Sequence, residues 1–157
     1  YKPGEPFPKQ FRPPVHGVIL ANDGLLYVCD RTNDRIQVFK TDGTFVKETW
    51  VARETLGDGS AFDVALSRDP QQKYLYVADG SNMKIHVLDR QSLETLTTFG
   101  SGGLSLDVLS CPQIATDSKG NIYTTETYRG QRVQKFLFRG VAPVAKKNQG
   151  PPWPAKR

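Results

Sequence analysis

Apolar and polar side chains alternate along this chain in short runs that are separated by polar turns. One unit of two runs and a turn occurs three times, at residues 25–39, 74–88 and 121–136. In each unit the first run ends in an acidic residue, and a basic residue opens the second run. Because alternation with a period of two is typical of half-buried strands, each unit is predicted to form a strand, a turn and a second strand.

The spacing of this repeat predicts the fold. The acidic residues that end the first runs are Asp30, Asp79 and Glu126, and they stand 49 and 47 residues apart. A repeat of this length made of short strands is typical of β-propeller blades. The sequence therefore predicts an all-β fold. We expect three blades of four strands each, at residues 15–51, 61–99 and 112–138.

Two proline-rich segments flank the predicted blades. Residues 1–14 are predicted to form an N-terminal arm, and residues 141–157 a basic tail. Residues 15–21 form a nearly continuous apolar run, which predicts an inner strand that is covered on both faces. The third blade has no clear fourth strand. Residues 141–144 are expected either to add a short edge strand or to belong to a loose tail, since prolines interrupt this segment.

The net charge of +5 is unevenly distributed. Residues 127–157 hold eight basic residues and no acidic residue, whereas residues 1–126 hold 13 basic and 16 acidic residues. A basic tail of this kind either contacts nucleic acid or an anionic membrane surface or serves as a solvated tail that aids solubility, and the mildly acidic body argues against nucleic acid as a partner. No apolar run reaches the ~20 residues of a membrane span. The N-terminus does not have the pattern of a signal peptide, and the sequence leaves the compartment open.

The repeat units resemble the NHL repeats of six-bladed β-propellers. The first unit matches at Gly24, Tyr27, Val28, Asp30, Asn33 and residues 35–39. The second matches at Tyr76, Val77, Asp79, Asn82, Lys84, Ile85 and Val87, and the third at Ile114, Ala115, Asp117 and residues 120–123 and 132–136. The resemblance covers residues 12–140 and implies a ring of six blades, of which this chain supplies three.

Three blades leave two sheet faces open that are apolar in a closed ring, and exposed patches of that size mark interaction surfaces. Three arrangements would cover them. The chain is half of a longer propeller, or two copies close a ring around a two-fold axis, or the arm and tail cover the ends. The two-copy ring is our expectation, and a protein or peptide ligand is the alternative partner.

The resemblance places ligands at the mouth of the central channel, near the start of each inner strand. In this chain His16, Asp63 and Gln113 lie there. The repeat also resembles that of the peptidyl-amidoglycolate lyases, which hold zinc with one histidine from each of several blades. Only His16 fits such a set, because Phe62 and Pro112 stand at the equivalent positions.

The gluconolactonase-like propellers, which bind calcium, are a second group of enzymes to compare. Asp63 and Gln113 offer oxygen atoms at the mouth, but too few for the roughly 6–8 ligands that calcium prefers. We therefore expect a non-catalytic binding or assembly module without zinc or calcium. The alternative is a metal-dependent enzyme, similar to the lyases or lactonases, whose site is incomplete in this chain.

The remaining candidates are predicted to be structural. A carboxylate at the end of a strand accepts hydrogen bonds from the amides of the following turn. The repeated acids Asp30, Asp79 and Glu126 are thus expected to hold their turns and to lie near the basic residues Arg35, Lys84 and Arg132. Both cysteines, Cys29 and Cys111, are predicted to be free thiols, with Cys29 packed as a small hydrophobic side chain.

Overall fold

The structure is a computed structural model that describes residues 10–55, 57–100, 113–126, 131–143 and 148–149. These residues form β-strands, turns and one short 3-10 helix, Arg31–Asn33, without any α-helix. The predicted all-β class is therefore confirmed. Within the same residues, no helix has the length and hydrophobicity that are needed to cross a membrane.

The strands form three sheets, which we call blades 1, 2 and 3. Blade 1 is antiparallel and follows the order of the sequence, with strands β1 (Val15–Leu20), β2 (Leu25–Asp30), β3 (Arg35–Lys40) and β4 (Phe45–Trp50). The turn between β1 and β2 is closed by a hydrogen bond of 3.0 Å from the Gly24 amide to the Ala21 carbonyl. Gly24 has a φ of +81°, which glycine adopts without strain, so this turn favours the hairpin.

Blades 2 and 3 repeat the plan of blade 1. Blade 2 has the antiparallel strands β5 (Ala61–Leu66), β6 (Tyr74–Asp79), β7 (Lys84–Asp89) and β8 (Thr95–Phe99). Blade 3 has three described strands, β9 (Gln113–Thr116), β10 (Ile122–Glu126) and β11 (Arg132–Phe136). A last strand, β12 (Asn148–Gln149), pairs in parallel with the outer edge strand β8 of blade 2.

The sequence left two alternatives for residues 141–144, a short edge strand of blade 3 or a loose tail. Residues 141–143 do not form a strand, and residue 144 lies outside the described part. The chain instead returns to blade 2, where Asn148 pairs with Thr98 and Gln149 with Phe99. The edge strand β8 offers unpaired backbone groups to a neighbouring strand, which is why a tail can add there.

The blades pack face to face, and their inner strands β1, β5 and β9 lie side by side. The strand register shows which positions are equivalent in the three blades. The cross-strand pair Leu26–Phe39 of blade 1 corresponds to Leu75–Leu88 of blade 2 and to Ile122–Phe136 of blade 3. The junction of blades 1 and 2 buries a core that includes Tyr27, Ile36, Val38, Leu75, Val77 and Leu88. The junction of blades 2 and 3 buries a second core that includes Ala78, Ile85, Ile114 and Ile122.

The prediction that residues 15–21 are covered on both faces is wrong. Ile19 packs against the core of the first junction, but Val18 and Leu20 are 64% and 57% exposed. The equivalent residues of blade 2, Val64 and Leu66, are each 3% exposed. The cause is positional, because blade 2 has blade 1 before it, whereas no described blade precedes blade 1.

Cys29 is a free thiol that is fully buried at the junction of blades 1 and 2. Burial raises the pKa of this thiol well above its usual range, and the nearby charge of Asp63 adds to the shift. The thiolate is therefore disfavoured, and Cys29 acts as a small hydrophobic side chain, as predicted. Cys111 lies outside the described residues.

Candidate functional site

The predicted channel mouth is built by irregularities at the start of two inner strands. In blade 1 the pairing with β2 skips from Val15 to Gly17, so that His16 is the extra residue. In blade 2 the pairing with β6 skips from Ala61 to Asp63, so that Phe62 is the extra residue. Such bulges redirect side chains at the end of a sheet. The two blades therefore present bulged residues at equivalent positions.

These two bulged residues contact each other. His16 Nδ1 donates a hydrogen bond of 2.7 Å to the carbonyl oxygen of Phe62, and the two rings lie 5.5 Å apart between centroids. The Phe62 ring also lies under the Arg31 guanidinium, 4.8 Å from its centroid. The imidazole is thus attached to the neighbouring blade through Nδ1, while its side chain stays exposed.

Asp63 connects all three inner strands. Its Oδ2 accepts a hydrogen bond of 3.0 Å from the Ile114 amide of blade 3. Its Oδ1 lies so close to Gly17 of blade 1 that a Cβ there would come within 2.6 Å. Burial raises the pKa of Asp63, while the hydrogen bonds from the amides of Ile114 and Val64 and the charge of His16 oppose the shift. Asp63 is therefore part of the packing between blades as well as of the mouth.

The third predicted residue, Gln113, begins β9 and is exposed next to Ile114. The structure therefore places His16, Asp63 and Gln113 at the starts of the neighbouring inner strands β1, β5 and β9. Among the described residues, no group of three or more histidine, cysteine, aspartate and glutamate side chains is arranged to hold a metal ion. Pro112, which completes the zinc comparison, lies outside the described part.

The repeated acids form buried ion pairs and hydrogen bonds at their turns. Asp30 accepts a hydrogen bond of 2.7 Å from Arg35 Nε, and both side chains are almost completely buried. Glu126 accepts hydrogen bonds from Arg132 through both of its oxygen atoms, at 2.9 and 3.3 Å. Asp79 accepts a hydrogen bond of 2.9 Å from the backbone amide of Asn82. The structural interpretation of these acids therefore has a direct geometric basis in all three blades.

One partner of these acids was missed by the sequence analysis. His86 Nε2 donates to Asp79 Oδ2 at 2.9 Å, and both side chains are buried. His86 was not among the residues that the sequence singled out. The repeat gave no signal for this contact, because Gln37, at the equivalent position in blade 1, bonds Glu48 Oε2 of β4 at 2.9 Å.

The faces that the three blades leave open are the other candidate surface. On blade 1 the open face carries Val18, Leu20, Leu26, Val28 and Phe39. On blade 3 the opposite open face carries Val133, which is 68% exposed, whereas the equivalent Ile85 of blade 2 is fully buried. Val18, Leu20 and Val133 thus lie in solvent at positions that the internal junctions bury, whereas Phe39 is half-buried with the Phe11 ring 5.8 Å from its own.

Solved structures confirm the fold at this point. Hydrazine synthase of Kuenenia stuttgartiensis matches with a TM-score of 0.59 and 21% identity, over 76% of this chain and 32% of the other. Virginiamycin B lyase from Staphylococcus aureus matches with a TM-score of 0.54 and 13% identity, over 80% and 42%. The dihydro-heme d1 dehydrogenase NirN, in complex with DHE, matches with a TM-score of 0.61 and 13% identity, over 83% and 27%.

The chain therefore spans less than half the length of each of these structures. No protein-family model matches the sequence. At these identities the likeness concerns the fold and does not extend to activity. These neighbours are propeller proteins, and the sheets of this chain are β-propeller blades.

Proposed function

We propose that this chain is a non-catalytic, NHL-type binding and assembly module, in which the open face of blade 1 packs on the open face of blade 3 of a second copy. Two such contacts, related by a two-fold axis, join the three blades of each copy into a six-bladed ring. The supporting observation is the exposure of Val18 and Leu20, whose blade 2 equivalents are buried.

Burial of the open faces gives the driving force. Transferring a valine or leucine side chain from water into a core contributes roughly 1.5–3 kcal/mol, so burial of Val18 and Leu20 on one face and of Val133 on the other favours association. Blade 3 offers Tyr123 and Val133 at the positions where blade 2 uses Tyr76 and Ile85 against its neighbour. The proposed contact therefore uses the same residue positions as the junctions inside the chain.

Size-exclusion chromatography with light scattering tests the ring. The protein at micromolar concentration is expected at twice the 17.5 kDa mass of one chain. Val18→Lys and Val133→Lys, one on each face, should each shift the population to monomer, because a lysine would be desolvated in the contact. Val141→Lys is the matched control, since Val141 is equally exposed but lies on neither face. A monodisperse monomer for the unmodified chain would contradict the ring.

The channel mouth is the proposed contact surface for a protein or peptide ligand, through His16, Asp63 and Gln113. The side chains of His16 and Gln113 are exposed on either side of the more buried Asp63. The metal-dependent enzyme remains the second candidate from the sequence. Metal analysis separates the two, because stoichiometric zinc or calcium that is lost in His16→Ala supports the enzyme, and protein purified without either metal supports the binding module.

A further inference from the structure

A groove runs along the junction of blades 2 and 3 on the side of the turn between β5 and β6. It consists of two cavities of about 540 and 360 Å³ that share Tyr74, Tyr76, Phe138 and Val141 in their walls. Phe138 and Val141 expose much of their apolar surface there. Exposed apolar side chains in a concave surface are typical of binding grooves for small ligands.

The charges that line the larger cavity are mostly positive. Arg68, Lys73 and Lys119 contribute three cations, and Asp69 contributes the single carboxylate. Hydrogen bonds from Ser67 and from the Lys73 amide already engage Asp69 and help to keep its pKa low, although burial opposes them. The charge of the cavity is therefore complementary to an anion.

Arg68 is held in a fixed position at the groove. Its Nε donates to Thr116 Oγ1 at 2.9 Å, and its Nη2 donates to the Thr116 carbonyl oxygen at 2.7 Å. Both bonds cross from blade 2 to blade 3. A guanidinium that is oriented in this way loses little side-chain freedom when it binds an acidic group.

The junction of blades 1 and 2 provides an internal comparison. A cavity of about 440 Å³ also lies there, but its polar groups bind one another. Arg90 donates to Asp23 at 2.6 Å and to the Tyr27 hydroxyl at 3.1 Å. Lys47 donates to the Gln91 carbonyl at 2.5 Å. The first junction thus satisfies its own donors.

At the second junction an apolar residue replaces this arginine. The strand register places Phe138 two residues after Phe136, as Arg90 stands two residues after Leu88. The Tyr76 hydroxyl, which is equivalent to that of Tyr27, has no hydrogen-bond partner within the described ranges. Burial raises the pKa of Tyr76, so its hydroxyl remains a proton donor near neutral pH. The second junction therefore has a hydroxyl donor without a protein partner in the described ranges, next to a cavity that is lined by three cations.

We propose that the groove between blades 2 and 3 binds a small organic anion. Its acidic group faces Arg68 and Lys119, and its aromatic or aliphatic body lies against Tyr74 and Phe138. Tyr76 donates a hydrogen bond to the ligand. In the first junction the equivalent hydroxyl, that of Tyr27, is instead hydrogen-bonded to Arg90. Carboxylates and phosphates share the required chemistry, since both present anionic oxygen atoms to guanidinium and ammonium groups.

Calorimetric titration with defined probes tests the site. We expect saturable binding of 4-phenylbutyrate or phenyl phosphate, and the stronger of the two identifies the acidic group. The control probe 4-phenylbutylamine has the same body as phenylbutyrate with the opposite charge, and it should bind at least about tenfold more weakly. Equal binding of the amine, or no saturable binding of either anion, would overturn the proposal.

Two substitutions test the named residues. Lys119→Glu should weaken binding of the preferred anion at least about tenfold, and Tyr76→Phe should weaken it about threefold, because the latter removes only the hydroxyl. Lys40→Glu reverses an exposed charge on blade 1 and should leave binding unchanged. Thermal unfolding of each variant checks folding. Unchanged affinity in folded Lys119→Glu would refute the assignment. These residues lie outside both open faces, so this result is independent of the proposed ring.

Discussion

At the scale of single residues, Asp79 is the carboxylate on which the turn of blade 2 depends. It is completely buried and accepts hydrogen bonds from the backbone amide of Asn82, the side chain of Asn82 and His86. Asp79→Ala leaves these donors unpaired in the interior, so the free energy of unfolding should fall by about 3 kcal/mol. Chemical denaturation measures the change.

A matched control for Asp79 is an acid whose ion pair is exposed. Asp58 pairs with Arg31 at 3.2 Å, but most of its side chain is in solvent. Asp58→Ala should therefore cost less than about 1 kcal/mol. Equal losses for the two variants would show that the buried turn network does not stabilise blade 2.

Asp34 gives a pH-dependent prediction. Burial raises its pKa from 3.8 to about 6, against hydrogen bonds from Ser60, and its Oδ1 has no partner among the described residues. The folded state thus holds this proton more tightly than the unfolded chain does. As the pH rises from about 4 to about 6, the unfolded state loses its proton first, and the contribution of Asp34 to stability is lost.

Asp34→Asn should remove this loss. Asparagine resembles the protonated carboxyl and accepts the left-handed φ of 56° at this position. The variant should exceed the parent in stability near pH 7, by at most about 3 kcal/mol at ~1.4 kcal/mol for each unit of pKa. Urea unfolding at about pH 4 and about pH 7 measures the difference, which should shrink at the lower pH. The same difference at both pH values would argue against a raised pKa.

At the scale of elements, the approach of β1 to β5 depends on Gly17. A Cβ at this position would lie 2.6 Å from Asp63 Oδ1 and 3.2 Å from the Asp63 Cα. Gly17→Ala should force the inner strands apart and lower the free energy of unfolding by about 1–3 kcal/mol. Because part of the clash is with a side chain, Asp63→Ala in the same protein should recover part of the loss. Additive losses would mean that the two positions do not interact.

At the scale of the whole molecule, the two open faces connect folding to association. A ring that forms only from folded chains stabilises the folded state by mass action, so the melting temperature should rise with protein concentration. Val18→Lys should abolish this dependence, and Val141→Lys should keep it. Differential scanning calorimetry over a range of concentrations measures the effect. A melting temperature independent of concentration for the unmodified chain would exclude a ring that is coupled to stability.

The sequence by itself determined the strands, their order within each blade and the structural role of the repeated acids. These features are local, since alternation, turn residues and an acid followed by a nearby base act within one strand–turn–strand unit. The resemblance implied that His16, Asp63 and Gln113 lie at the starts of the inner strands, and their role as ligand contacts stays a prediction.

Only the tertiary structure decided which faces stay open and what crosses between blades. An apolar run such as residues 15–21 has the same pattern whether or not a blade covers its second face, so exposure of Val18 could not be read from it. Three further features depend on contacts between separate segments of the chain. They are the pairing of β12 with blade 2, the hydrogen bond between His86 and Asp79, and the groove beside Phe138. Such contacts arise from packing, and the local pattern of a single chain does not contain them.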